Sequence, residues 1–141
     1  MPPSAEQGWA ADTSFAVAAL DQAHEAHEAC RASARDHRPA LAGHAAFETF
    51  SVLTRLPGAM RVAPATVTDL LTRAFPERCW LSPKEQAALL ERLGSLDLVG
   101  GMVYDALDAE AARVHGRTLL TRDVRARRTY DLVGVGYEFV D

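Results

Sequence analysis

The chain holds only two cysteines, Cys30 and Cys79. They lie far apart and belong to no CxxC or Cys/His ligand pattern, which excludes a disulfide framework and a structural zinc site and leaves two free thiols in a reduced compartment. No apolar run reaches the ~18 residues that a membrane span requires. The opening MPPSAEQGWAADTS has no basic segment followed by an apolar core, so no secretory signal is read and a cytoplasmic location is expected. Excess positive charge is missing too: the formal net charge is -4, which is not the balance of a protein that holds nucleic acid through bulk charge. GxSxG, Walker and GxGxxG patterns are absent, and Gly100-Gly101 lacks both the companion glycine and the preceding strand of a dinucleotide site. His24, Glu25, His27 and Glu28 suggest a metal motif, but the two histidines stand three residues apart where the zinc-binding helix needs four. Asp12-Thr13-Ser14 resembles the start of an aspartyl-phosphate site, yet the second aspartate expected two residues later is Ser14. Repeats and low-complexity tracts are also lacking.

What remains is an ordinary globular composition, 48% hydrophobic and 24% charged over 141 residues, sized for a single domain spanning 1–141. Residues 1–8, rich in Pro, Ser, Glu and Gln, are expected to be loose. Trp9–Asp12 reads as a first strand, short and alanine-rich. Thr13 and Ser14 are expected to cap a helix from Phe15, and 21–36 reads as a mostly polar helix. A second strand at 39–43 leads to a helix over 44–56, ended by Pro57-Gly58. Thr66 with Asp69 suggests a capping box for a helix over 67–75, and 79–81 a third strand. Ser82, Pro83 and Glu85 supply the N-cap, N1 and N3 residues of a helix to about Leu93. Alternating strand and helix signals, finishing with a helix at 124–132 and a strand at 137–140, predict an α/β fold with a mainly parallel sheet and helices on both faces.

The stretch from Gly100 to Asp123 organises the rest. Val103, Leu107, Ala111 and Val114 recur at helical spacing and predict a buried stripe, with Gly116 ending the helix. Asp105 falls almost opposite the stripe, near the helix start, where unpaired amides and the dipole favour an anion. Thr118–Thr121 reads as a strand whose exit carries Asp123. In an open α/β sheet ligands bind at the carboxyl ends of strands, so Asp105 and Asp123 can converge on one cleft. Asp12 leaves the first strand in the same sense. Glu48 lies off its own helix's apolar stripe and points either to solvent or into that cleft. Six arginines (113, 117, 122, 125, 127 and 128) make a basic edge beside Asp123, or a solvated face.

Three segments, DTSFAVAAL (12–20), FETFSVLTRLPG (47–58) and VYDALDAEAARVHGRTLLTRD (103–123), stand in an order and spacing that resemble the PIN domain, of the VapC toxin type. The resemblance covers nearly the whole chain and implies a PIN-like three-layer sandwich. Where this chain has GWAAD, the family's first strand is normally a run of branched apolar residues ending at the acid. The resemblance also places Glu48 in the cleft and implies a metal-dependent endoribonuclease whose catalytic acids are Asp12, Glu48, Asp105 and Asp123. Carboxylates brought this close repel unless a proton or hard cation lies between them, which points to Mg²⁺ or Mn²⁺ on Asp12, Asp105 and Asp123. Ser14 would hydrogen-bond a metal-bound water or cap its helix, and Thr121 would support Asp123. Arg122, Arg125, Arg127 and Arg128 are the expected RNA contacts. Asp108 is an acid the family pattern does not usually require, either a supplementary ligand or a solvated charge, with the solvated charge expected. By the same resemblance the partners are RNA, a small antitoxin that occludes the cleft, and a second copy in a homodimer. The alternative from another class is a PIN-like non-catalytic interaction module whose acids no longer cooperate.

Overall fold

A computed structural model describes residues 8–141; the expected loose start at 1–7 lies outside them, and Gly8 already opens a strand. Five strands, β1 Gly8–Ala11, β2 Ala40–Ala42, β3 Arg78–Cys79, β4 Arg117–Thr121 and β5 Tyr137–Phe139, form one sheet in the order β3-β2-β1-β4-β5. Every pairing is parallel. The helices are α1 Thr13–Leu20, α2 His27–His37, α3 Gly43–Thr54, α4 Pro64–Ala74, α5 Pro83–Leu93, α6 Met102–Val114 and α7 Arg127–Val133. They cover both faces, giving the expected α/β three-layer sandwich.

The alanine-rich β1 is the central strand: Ala10 pairs with Ala40 on one side and with Leu119 on the other. Small side chains suit this place. Ala10 and Ala11 are fully buried, and alanines of α1 (Ala16, Ala18) and α6 (Ala106, Ala109, Ala112) are buried with them, so helix and sheet backbones approach closely. Larger anchors, Phe15, Leu41, Leu53, Phe75, Leu119 and Leu120, fill the space around this layer and supply most of its apolar burial, about 1.5–3 kcal/mol each. Chain order runs outward from β1 through β2 to β3, then resumes on the other side with β4 and β5. The reversal falls between β1 and β4, whose carboxyl ends therefore border a crevice.

Several local expectations are corrected. Asp12, not Thr13 or Ser14, caps α1, its side chain accepting from the Phe15 amide. Residues 21–36 are not one helix: the Asp21 carboxylate accepts from Ala23 N and His24 Nδ1 from Ala26 N, and these local bonds hold a turn ahead of α2. Thr66 and Asp69 form no capping box, because α4 begins earlier, with Pro64 in its first turn. The box at Ser82 and Glu85 is present as read. In α6 the buried residues are Ala106, Asp108, Ala109, Glu110, Ala111 and Ala112, while Val103, Leu107 and Val114 are only half-buried. The helix is thus rotated relative to the expected stripe. Two glycines have specific work. Gly116 turns the chain from α6 into β4 at φ +67, and a Cβ on Gly43 would come within 2.3 Å of the Trp80 ring.

Candidate active site

Asp12 stands at the end of β1, 2% exposed, and nearly every neighbour donates to it. Its Oδ1 accepts from Phe15 N at 3.0 Å and from Ser14 Oγ at 2.7 Å, and its Oδ2 accepts from the Tyr130 hydroxyl at 2.6 Å. Burial pushes the Asp12 carboxyl up, and these donors, with Thr121, pull it back down. Ser14 does not cap the helix. It ties strand ends together, donating to Asp12 while accepting from Arg122 N at 2.9 Å, with Thr121 Oγ1 3.3 Å away. Thr121 Oγ1 accepts from Asp123 N at 3.0 Å.

Around this point lies a cleft of about 490 Å³ whose walls include Asp12, Ser14, Glu48, Asp105, Asp108, Asp123 and Tyr130. The four expected acids therefore meet, each from a different segment: the β1 exit, α3, the first turn of α6 and the β4 exit. Asp105 registers their proximity. Its carboxyl is pushed up to about 6, first by burial and then by the charges of Asp123, Asp12 and Glu48. Glu48 faces the cleft, accepting from Thr13 Oγ1 at 3.1 Å, with His44 Nε2 3.6 Å from the same oxygen. Asp123 turns one oxygen to Arg125 N at 2.9 Å.

Asp108 is not the solvated charge expected for it. It is 2% exposed, its Oδ1 has no hydrogen-bond partner, and burial followed by the charges of Asp12, Glu48 and Asp105 holds it well above the usual carboxylate range. The rotation of α6 that buries Ala106 and Ala109 carries Asp108 inward with them. Glu110, also buried, shows the opposite solution: Arg113 and Arg92 answer its charge and hold its carboxyl below the usual range.

As the side chains stand, no group of three or more His, Cys, Asp or Glu among the described residues could hold a metal ion by itself. That disfavours a closed cage of the structural zinc kind. It is compatible with Mg²⁺ or Mn²⁺, which take oxygen donors, keep several waters and need only one or two carboxylates. The donor set is all oxygen, Asp105 is destabilised as an anion by burial and then by its acidic neighbours, and Asp108 Oδ1 is an unsatisfied buried acceptor. Such a site gains from a cation.

The expected RNA-contacting arginines separate. Arg122 turns inward, lining the cleft and donating from Nη1 to Val140 O at 2.8 Å. Arg125, Arg127 and Arg128 are exposed; Arg127 lies 5.8 Å over the Phe139 ring, and Arg128 is 3.8 Å from Asp97. Cys30 and Cys79 are buried free thiols pushed up by burial. Sequence reading missed Tyr130, and it missed His24 and Glu25 as cleft walls. Nothing in local periodicity marks a tyrosine that reaches across the sheet to an aspartate 118 positions away.

The sequence pattern of the PIN domain matches residues 10–132. Ribonuclease VapC27 of Mycobacterium tuberculosis is 45% identical over 126 residues, which cover 89% of this chain and 92% of that protein. Ribonuclease VapC40 of the same species is 41% identical over 132 residues, 93% of this chain and 98% of its own length. The crystal structure of FitAcB from Neisseria gonorrhoeae superposes with a TM-score of 0.62 over 91% of this chain and 94% of that one; at 14% identity it speaks for the fold alone. With the match spanning the β1 acid to α7, and relatives this similar over nearly their whole lengths, the chain belongs to the PIN domain family, in its VapC branch.

Proposed function

We propose that this protein is a metal-dependent endoribonuclease toxin neutralised by a cognate antitoxin. The observation that carries this reading is the meeting of Asp12, Glu48, Asp105 and Asp123 in one cleft at the sheet's switch point, with Asp105 pushed up to about 6 by burial and the other three. Two relatives that carry the name ribonuclease support the substrate class. Asp12, Asp105 and Asp123 would hold Mg²⁺ or Mn²⁺. Bound there, the ion supplies an acidified water and neutralises charge on the scissile phosphate. Asp12, fixed by Phe15, Ser14 and Tyr130, sets the position of that centre. Glu48 Oε1, steadied by Thr13, would take a proton from the attacking water. Arg125, Arg127 and Arg128 hold phosphates flanking the cut. Exposed Phe47, Trp80 and Leu90 offer apolar surface for an antitoxin or a second copy. The non-catalytic reading drew on the weak first strand, yet β1 is paired on both sides.

The test is Mg²⁺-dependent cleavage of a fluorescently labelled RNA. Asp105→Asn and Asp123→Asn should each lower the rate at least about a hundredfold, the loss of roughly 3 kcal/mol of transition-state stabilisation. Wild-type rates in both variants would overturn the reading.

A further inference from the structure

Asp108 has no part in the acid set just described, yet it is the one buried carboxylate among the described residues that keeps an oxygen without a hydrogen-bond partner. It lines the cleft, it is 2% exposed, and Oδ1 has no hydrogen-bond partner. A buried acceptor left unpaired is destabilising, more so if it is charged, so such a group calls for an explanation. The other buried acids of this chain have one. Asp12 takes three donors and Glu110 takes two arginines. No cationic side chain is paired with Asp108 in any ion pair among the described residues. What surrounds it electrically is negative: Asp12, Glu48 and Asp105 all act on it.

Helix geometry places it. Asp105 and Asp108 are separated by three residues on α6, neighbours along one side of the helix, with Asp105 half-buried and Asp108 one turn further in. A cation reaching Asp105 from solvent therefore meets Asp108 at the inner end of the same cleft. The competing role is structural: the Ala45 backbone N–H in the first turn of α3 donates to the Asp108 carboxylate, and α3 has no side-chain cap from its N-cap residue. Such capping would not by itself account for the free Oδ1.

We propose, resting on the cation-binding reading above, that Asp108 is a fifth acid of this site and turns Oδ1 to the bound Mg²⁺ or Mn²⁺. A divalent ion held this way has ligands from two successive turns of α6 and should bind more tightly than one held at the cleft mouth alone.

The experiment is Mn²⁺ binding by calorimetry to the full chain, without RNA, for wild type, Asp108→Asn and Asp105→Asn. Asp108→Asn is expected to weaken Mn²⁺ at least about tenfold, with no fall in the melting temperature of the metal-free protein. Asp105→Asn should weaken it as well. If Asp105→Asn is weakened while Asp108→Asn stays within about twofold of wild type, Asp108 is not a ligand and only this inference fails. A lowered metal-free melting temperature with unchanged Mn²⁺ affinity likewise assigns Asp108 to capping α3 and overturns it. Unchanged affinity in both variants removes the cation site and the inference with it. Asp108→Ser, which keeps a small polar side chain, replaces the Asn variant should that fail to fold.

Discussion

Replacing Asp105 by asparagine should make the metal-free protein more stable, and only above a defined pH. In the folded chain the Asp105 carboxyl is pushed up to about 6 from an ordinary 3.8, first by burial and then by Asp123, Asp12 and Glu48. For an acid shifted upward, the folded state binds the proton more tightly than the unfolded state. The penalty is therefore absent below about pH 4, grows between about pH 4 and 6, and is complete above that. The full difference corresponds to about 3 kcal/mol. Asp105 is only half-buried, and solvent screening reduces this to about 1.5 kcal/mol. Its negative charge in the first turn of α6 is favourable by about 0.5 kcal/mol, which asparagine gives up. The net gain is about 1 kcal/mol. At about 0.3 kcal/mol/K of unfolding entropy for 141 residues, the melting temperature should rise by about 3 °C. Thermal denaturation in EDTA at pH 8 and at pH 4 measures both limits. A gain of equal size at both pH values, or none at pH 8, would refute the electrostatic origin of the shift.

Tyr130→Phe removes the donor 2.6 Å from Asp12 Oδ2 inside the protein and should cost about 1.5–3 kcal/mol, read as a lower urea midpoint at unchanged m-value; a loss under about 0.5 kcal/mol would mean that Asp12 is satisfied without it. Changing Arg125, Arg127 and Arg128 together to Ala should reduce the salt dependence of RNA binding by a slope of about 2, at about 0.7 per single-strand phosphate contact, with Mn²⁺ affinity untouched. An unchanged slope in fluorescence anisotropy returns these side chains to a solvated face.

Features encoded by neighbours in sequence were legible. Ser82, Pro83 and Glu85 carry their whole mechanism within four residues, and Gly116 announces the turn before β4. The β4 exit and the start of α6 could be placed, and with them Asp105 and Asp123. The face of α6 could not, because hydropathy ranks Val103 and Leu107 above Ala106 and Ala109, whereas close approach to the sheet selects for small volume. That error hid Asp108. Asp12 was mistaken for a bystander to its own helix cap because Thr13 and Ser14 have the same capping chemistry, and only the extended backbone at the strand end, ψ -178, decides among them. Tyr130 and the Arg92 partner of Glu110 depend on contacts between distant segments, on which local pattern is silent.

The central place of β1 has a consequence for synthesis. β1 is paired on one side by residues that follow soon, at Ala40 and Leu41, but on the other by Arg117–Leu120, which come far later. The acids share this schedule: Asp12 leaves the ribosome well before Asp123, and before Tyr130, which lies 118 positions later. Pairing so remote in sequence is slow to form and cannot precede the emergence of β4. On the proposed reading, a nascent chain would therefore be an inactive nuclease until β4 and α7 have emerged, and its hydrolytic centre would appear only once they pack against β1.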